Sequence, residues 1–159
     1  MNFSFWLNGV YRHEEAEPDT LLLDFLRQKG CYSVKRGCET ANCGLCTVLM
    51  DGKPVLSCST LALRAEGKKI VTLEGMQKEA EEFGSFLANE GAEQCGFCNP
   101  GFIMNVFAML HELKEPAERE IQEYLAGNLC RCSGFVGQTR SILKFLEYKR
   151  SQQDGGAEV

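Results

Sequence analysis

The sequence predicts an α+β protein in two parts: a small β domain with one helix over residues 1–75, and a four-helix bundle domain over 76–150. Residues 151–159, small and polar, are expected to be a disordered tail. The apolar pattern has period 2 up to Glu74-Gly75 and period 3.6 beyond it. Asn8-Gly9 and Asp51-Gly52 each lie between apolar runs, the strongest short-range sign of a tight hairpin. Each half also holds a quartet of cysteines of its own, with Cys31 left over in the first, which suggests two separate cages, one in each core.

Taken in order, Phe3, Phe5 and Leu7 alternate with Asn2, Ser4 and Trp6 and run into Asn8-Gly9, giving two strands. Asp19 or Thr20 can cap a helix whose Leu22, Phe25 and Leu26 share one face and which Gly30 ends; it is expected to pack across the sheet. Thr47, Val48, Leu49 and Met50 form a hairpin with Val55 and Leu56, and Pro54 favours an edge position for the return strand. Residues 70–73 make a last strand. A helix over 79–89 carries Phe83, Phe86 and Leu87 on one stripe. Asn99-Pro100 predicts a helix start, with Asn as cap and Pro at the first position. The helix that follows is apolar over more than half its circumference, from Phe102 and Ile103 to Leu110 and Leu113, and should be the buried centre of the bundle. A shorter helix over 118–126 stops at Gly127, and Ile142, Leu143, Phe145 and Leu146 mark a final one through about Arg150.

Charge and cysteine usage narrow the function. Seventeen basic against 22 acidic residues give a net charge of −5, which disfavours a nucleic-acid surface and suits a protein partner. The start, Met1-Asn2-Phe3-Ser4-Phe5-Trp6, has no basic n-region or cleavage pattern, and no stretch approaches the roughly 18 to 20 apolar residues of a bilayer span. The expectation is a cytoplasmic chain with no membrane partner, its nine cysteines reduced and available as metal ligands.

Cys38, Cys43, Cys46 and Cys58 read C-x4-C-x2-C-x11-C, the spacing of a plant-type 2Fe-2S centre. Four thiolates around two irons and two sulfides leave a net anion, which needs a loop whose backbone N–H groups turn inward; Gly37 and Gly44 allow that approach. Gly44 and Leu45 are expected at its exposed rim. The second quartet is Cys95, Cys98, Cys130 and Cys132. Cys95 and Cys98 precede a helix N-terminus, whose dipole favours an anion. Cys130 and Cys132 diverge by roughly 200° on a helix and so belong to a loop, 127–134, where Arg131 can offset cluster charge.

Four stretches carry a family resemblance: Ser33-Val34-Lys35-Arg36-Gly37-Cys38; Cys43-Gly44-Leu45-Cys46-Thr47-Val48; Gln94-Cys95-Gly96-Phe97-Cys98-Asn99-Pro100-Gly101; and Gly127-Asn128-Leu129-Cys130-Arg131-Cys132-Ser133-Gly134-Phe135. Over roughly residues 3 to 150 the chain resembles the small iron-sulfur subunit of the molybdenum hydroxylases, the xanthine dehydrogenase, carbon monoxide dehydrogenase and aldehyde oxidoreductase family. The resemblance implies a plant-ferredoxin-like β-grasp domain and a helical domain, each holding one 2Fe-2S cluster. It also implies a large molybdopterin-binding subunit and a FAD-binding subunit as partners, with substrate chemistry in the large subunit. Gln94 and Cys132 are, by the same resemblance, the residues that approach the pterin. Ala41, Asn99 and Phe135 depart from the family's usual glycine, threonine and tyrosine.

Plainer readings stand beside these. Either quartet could hold structural zinc, although zinc knuckles favour two CxxC-like pairs over a C-x4-C-x2-C loop. Cys31 has no partner at ligand spacing and reads as a small core residue; His13 and His111 read as surface histidines. Two further functions remain in view: a freestanding two-cluster ferredoxin and a zinc-stabilised interaction module.

Overall fold

The computed structural model describes residues 1–154. Strands β1 (Asn2–Leu7) and β2 (Val10–Glu15) pair antiparallel through a turn in which Asn8 and Gly9 both take positive φ, 51° and 81°. That is the turn whose twist matches the flanking strands. Asp51 and Gly52, at 51° and 81°, repeat it between β3 (Thr47–Met50) and β4 (Lys53–Leu56). The fifth strand, β5 (Lys69–Val71), lies parallel to β1 and antiparallel to β3, giving the order β2-β1-β5-β3-β4. Pro54 thus sits on an edge strand, where its missing N–H leaves no ladder bond unmade.

Helix α1 (Leu22–Gln28) is shorter than its sequence signals suggest, and neither Asp19 nor Thr20 caps it; Leu21 is the cap residue and makes no side-chain bond. Its Leu22, Leu23, Phe25 and Leu26 are buried with Phe3, Phe5 and Leu7 of β1, Val48 and Ile70. Each such side chain contributes about 1.5–3 kcal/mol by leaving water. Gly30, at φ 90°, ends the helix as expected. Cys31, 4 % exposed, belongs to this core, and burial is the main cause that raises its pKa.

Four helices follow: α2 (Gln77–Asn89), α3 (Asn99–Glu112), α4 (Glu118–Tyr124) and α5 (Phe135–Asp154). Phe83, Leu87, Phe102, Val106, Ile121, Ile142 and Phe145 form their core, with the Phe83 and Phe145 rings 5.2 Å apart. Cys98, not Asn99, is the cap residue of α3, so Asn99 and Pro100 occupy its first turn. Helix α5 starts seven residues before Ile142 because its first two turns bury Gln138, Thr139 and Ser141, which carry no apolar periodicity. It also continues past Arg150, where a disordered tail is expected from the composition. Ser151 Oγ donates to Tyr148 O at 2.7 Å, and Gln152 Nε2 to the Tyr148 hydroxyl at 2.6 Å. Residues 155–159 of that tail lie outside the described residues.

The two halves do not have wholly separate cores. Leu49 of β3 packs with Met104 and Ala108 of α3, flanked by Val71, Leu73, Met76 and Tyr124. Helix α3 is apolar around most of its surface because it is covered by helices on one side and by the sheet on another.

Candidate metal centres

The loop between α1 and β3 brings Cys38, Cys43 and Cys46 to one end of the sheet, and a 3-10 turn after β4 (Ser57–Ser59) returns Cys58 to them. Their thiols meet in pairs, Cys38 with Cys43 and Cys46 with Cys58. The N–H groups of Asn42 and Thr40, the Cys43 thiol and the Cys43 N–H bring Cys38 down to about 6. Burial raises Cys43, and burial followed by the Cys46 thiol pushes Cys58 up to about 12. Cys38 is therefore a ready thiolate near neutral pH, and inward N–H groups create it. The crowding is severe: a Cβ on Gly37 would lie 2.6 Å from Leu45 Cδ2 and 3.2 Å from Cys43 Sγ.

The second quartet joins the approach to α3 with the connection from α4 to α5. Cys132 Sγ lies 3.5 Å from Cys95 Sγ, and Cys98 pairs with Cys130. The Phe97 N–H is the main cause that lowers Cys95. At Cys130 burial pulls upward but is outweighed by the N–H groups of Cys132, Ser133 and Gly134. Burial, then the Cys130 thiol, pushes Cys98 up to about 11, and Cys95 raises Cys132. Gly96 and Gly134, at φ 69° and 75°, make the turns that aim these N–H groups.

Donor chemistry and arrangement together fit a two-metal cluster. A 2Fe-2S centre takes two cysteines on each iron, whereas structural zinc draws four ligands around one ion. Both quartets fall into two thiol pairs, and among the described residues no three His, Cys, Asp or Glu side chains converge as single-ion ligands. His13 lies on β2, its Nδ1 2.9 Å from Ser4 Oγ, and His111 is exposed in the last turn of α3.

The two cysteine sites touch. Leu129 N–H donates to Cys43 O at 2.9 Å, so the residue before Cys130 is bonded to a cysteine of the other quartet. Gly44 O lies so close to α3 that a Cβ on Gly101 would stand 2.2 Å from it. Asn128, 5 % exposed, accepts from Asn105 Nδ2 at 2.6 Å and directs its own Nδ2 to Gly44 O at 3.4 Å. Gly44 and Leu45 are consequently buried rather than at a solvent rim, and Glu39, Thr40 and Asn42 form the exposed edge of the loop. Sequence reasoning did not single out Gly101 or Asn128; a glycine in the first turn of a long apolar helix was the available signal for the former.

At the opposite side of the second quartet, Cys95, Cys132 and Gln94 are exposed, with Gln94 Nε2 donating to Cys132 O at 3.4 Å. Phe97, Leu129, Phe135 and Val136 are also exposed, by 47 to 78 %. Lys35 Nζ holds Phe97 from the other half, 3.2 Å from its carbonyl oxygen and 4.7 Å from its ring centre. Arg131 is exposed beside the same loop.

Two family models match the chain in succession: a 2Fe-2S iron-sulfur cluster binding domain over residues 6–73 and a 2Fe-2S binding domain over 72–143. The chain is 47 % identical over 141 residues to the xanthine dehydrogenase iron-sulfur-binding subunit of Escherichia coli O157:H7, covering 86 % of this chain and 89 % of that one. It is 41 % identical over 133 residues to the nicotinate dehydrogenase small FeS subunit of Eubacterium barkeri, covering 82 % and 85 %. Among solved structures, quinoline 2-oxidoreductase from Pseudomonas putida 86 superposes with a TM-score of 0.82 at 40 % identity, covering 89 % of this chain and 90 % of the matched chain. A ferredoxin-like sheet, a helical half and paired cysteines in each thus coincide with these matches, and the chain belongs to the family of small 2Fe-2S iron-sulfur subunits of the molybdenum hydroxylases.

Proposed function

We propose that this chain is the electron-transfer subunit of a molybdenum hydroxylase complex, a cytoplasmic relay between the molybdopterin site of a large subunit and a FAD subunit. Cys38, Cys43, Cys46 and Cys58 hold one 2Fe-2S cluster in a domain ending near residue 75, and Cys95, Cys98, Cys130 and Cys132 hold the other in a four-helix bundle domain. Each cluster supplies reversible one-electron chemistry when bound. The chain's own part is to position the two sites, aim N–H groups at their sulfurs and keep the space between them dry. The observation that carries this reading is the Leu129 N–H to Cys43 O hydrogen bond, which links the two cysteine loops by one short step. Acid-labile sulfide and iron determination tests it: four of each per chain are expected, and two irons or stoichiometric zinc would overturn it.

The helical site faces the molybdenum subunit in this reading. Gln94 and Cys132 lie together at the surface as a pterin contact requires, and the exposed Phe97, Leu129, Phe135 and Val136 around them suit burial against a large partner better than free diffusion. That apolar surround is what disfavours a freestanding ferredoxin. In partly reduced native complex the molybdenum(V) resonance should be split by a nearby reduced cluster, and Cys43→Ser should leave the splitting in place. Splitting that depends on the Cys43 site and survives loss of the Cys98 site would reverse the order.

A further inference from the structure

Gln138 is a polar side chain where the first turns of α5 face inward, and it is 3 % exposed. Its Nε2 points at Cys98 Sγ from 3.9 Å, while its Oε1 has no hydrogen-bond partner among the described residues. An orphaned buried carbonyl is a desolvation cost that a leucine of similar size would not incur. The useful end of the side chain is therefore its nitrogen. Turning the amide over would set Oε1 against an electron-rich sulfur, so the observed orientation is the favourable one. Gln138 also lines a cleft of about 370 Å³ with Phe102, Leu125, Ala126, Phe135 and Thr139. The backbone supplies N–H donors to Cys38, Cys43, Cys95 and Cys130 from within their own loops. Among the described residues, Cys98 is the cysteine to which a separate helix extends a side-chain amide.

We infer that Gln138 is a positioning residue that tunes the helical-domain centre, directing its amide N–H at Cys98 Sγ and so raising the reduction potential of that centre relative to the ferredoxin-like one. The inference rests on the proposal that Cys98 is a cluster ligand. One-electron reduction adds negative charge that the cysteine sulfurs share, and an N–H dipole aimed at sulfur stabilises the reduced state more than the oxidised one. At 3.9 Å the contact is at the long limit of a sulfur hydrogen bond. Its effect is accordingly modest, about three- to tenfold in the one-electron equilibrium, the upper value corresponding to ~59 mV. The test is spectroelectrochemical titration of Gln138→Leu and Gln138→Met in the purified complex, with the ferredoxin-like centre as internal reference and iron counted in each preparation. Both variants should retain four irons per chain and lower the potential of the helical centre alone. An unchanged potential, a shift in one variant only, an equal shift of both centres, or loss of iron in both variants overturns the inference. Fewer than four irons in the unaltered chain would instead sink the ligand assignment itself, so the two failures are distinguishable.

Discussion

Ala41 holds φ at 53° inside the first cysteine loop, a left-handed conformation that costs an L-residue about 1–2 kcal/mol. Ala41→Gly should remove that strain and, after the greater freedom of glycine in the unfolded chain is subtracted, raise stability by about 0.5–1 kcal/mol, read as a higher melting temperature of the loaded protein. Glu74 is a second residue with a measurable consequence. It accepts from Ser33 N at 2.8 Å, Ser33 Oγ at 2.6 Å and Thr72 Oγ1 at 2.6 Å. Burial alone would raise its pKa, but the Ser33 and Thr72 hydroxyls and the Ser33 N–H outweigh it and hold the carboxyl below its ordinary 4.5. A carboxyl depressed on folding stabilises above its unfolded value, and that stabilisation is lost as pH falls from there through the folded value. Glu74→Gln should therefore be less stable than the wild type at about pH 7, and the gap should narrow as pH drops below 4.5 in urea titrations. The eight paired cysteines were legible because ligand spacing is local in sequence. Asn128 and Gln138 were not, since a single polar residue gains its role only from what the fold places opposite it.

Among the elements, α3 meets the first half backbone to backbone at Gly101. Gly101 has no Cβ because Gly44 O, Leu45 Cα and Leu45 C would stand 2.2, 2.8 and 2.9 Å from one. All three atoms belong to main chain that cannot swing away, so Gly101→Ala should cost about 3 kcal/mol, the upper part of the overpacking range, as a lowered urea midpoint. The strands and hairpins were legible almost residue by residue: alternating side chains and Asx-Gly turns are properties of a few neighbouring residues. Helix α5 was legible only in its later turns. Its early turns bury polar groups, and Thr139 and Ser141 return their hydroxyls to Phe135 O and Gly137 O at 3.0 and 2.8 Å, which periodicity does not detect.

For the whole molecule, the apolar seam of Leu49, Met104 and Ala108 decides whether the halves melt together. Met104 is 1 % exposed, so Met104→Ala should destabilise by about 2–5 kcal/mol. In a denaturant titration the visible signals of both clusters should be lost in one transition in the wild type and separate in the variant; two transitions in the wild type would make the halves independent. The change of period near Gly75 carried no information about the seam. Contacts between α3 and β3 join Leu49 to residues 55 and 59 positions further on, and periodicity reports only on neighbours.

The Leu129 amide gives a clock for this seam. Its side chain is 47 % exposed, yet its proton is held by Cys43 O across the join. Solvent can exchange that proton only when the two loops part, so its deuterium uptake counts openings one by one, and slow uptake at so exposed a residue is the expected result. The exchange of this one backbone proton therefore reports how readily the two cysteine loops part, a quantity that turnover of the assembled enzyme averages away.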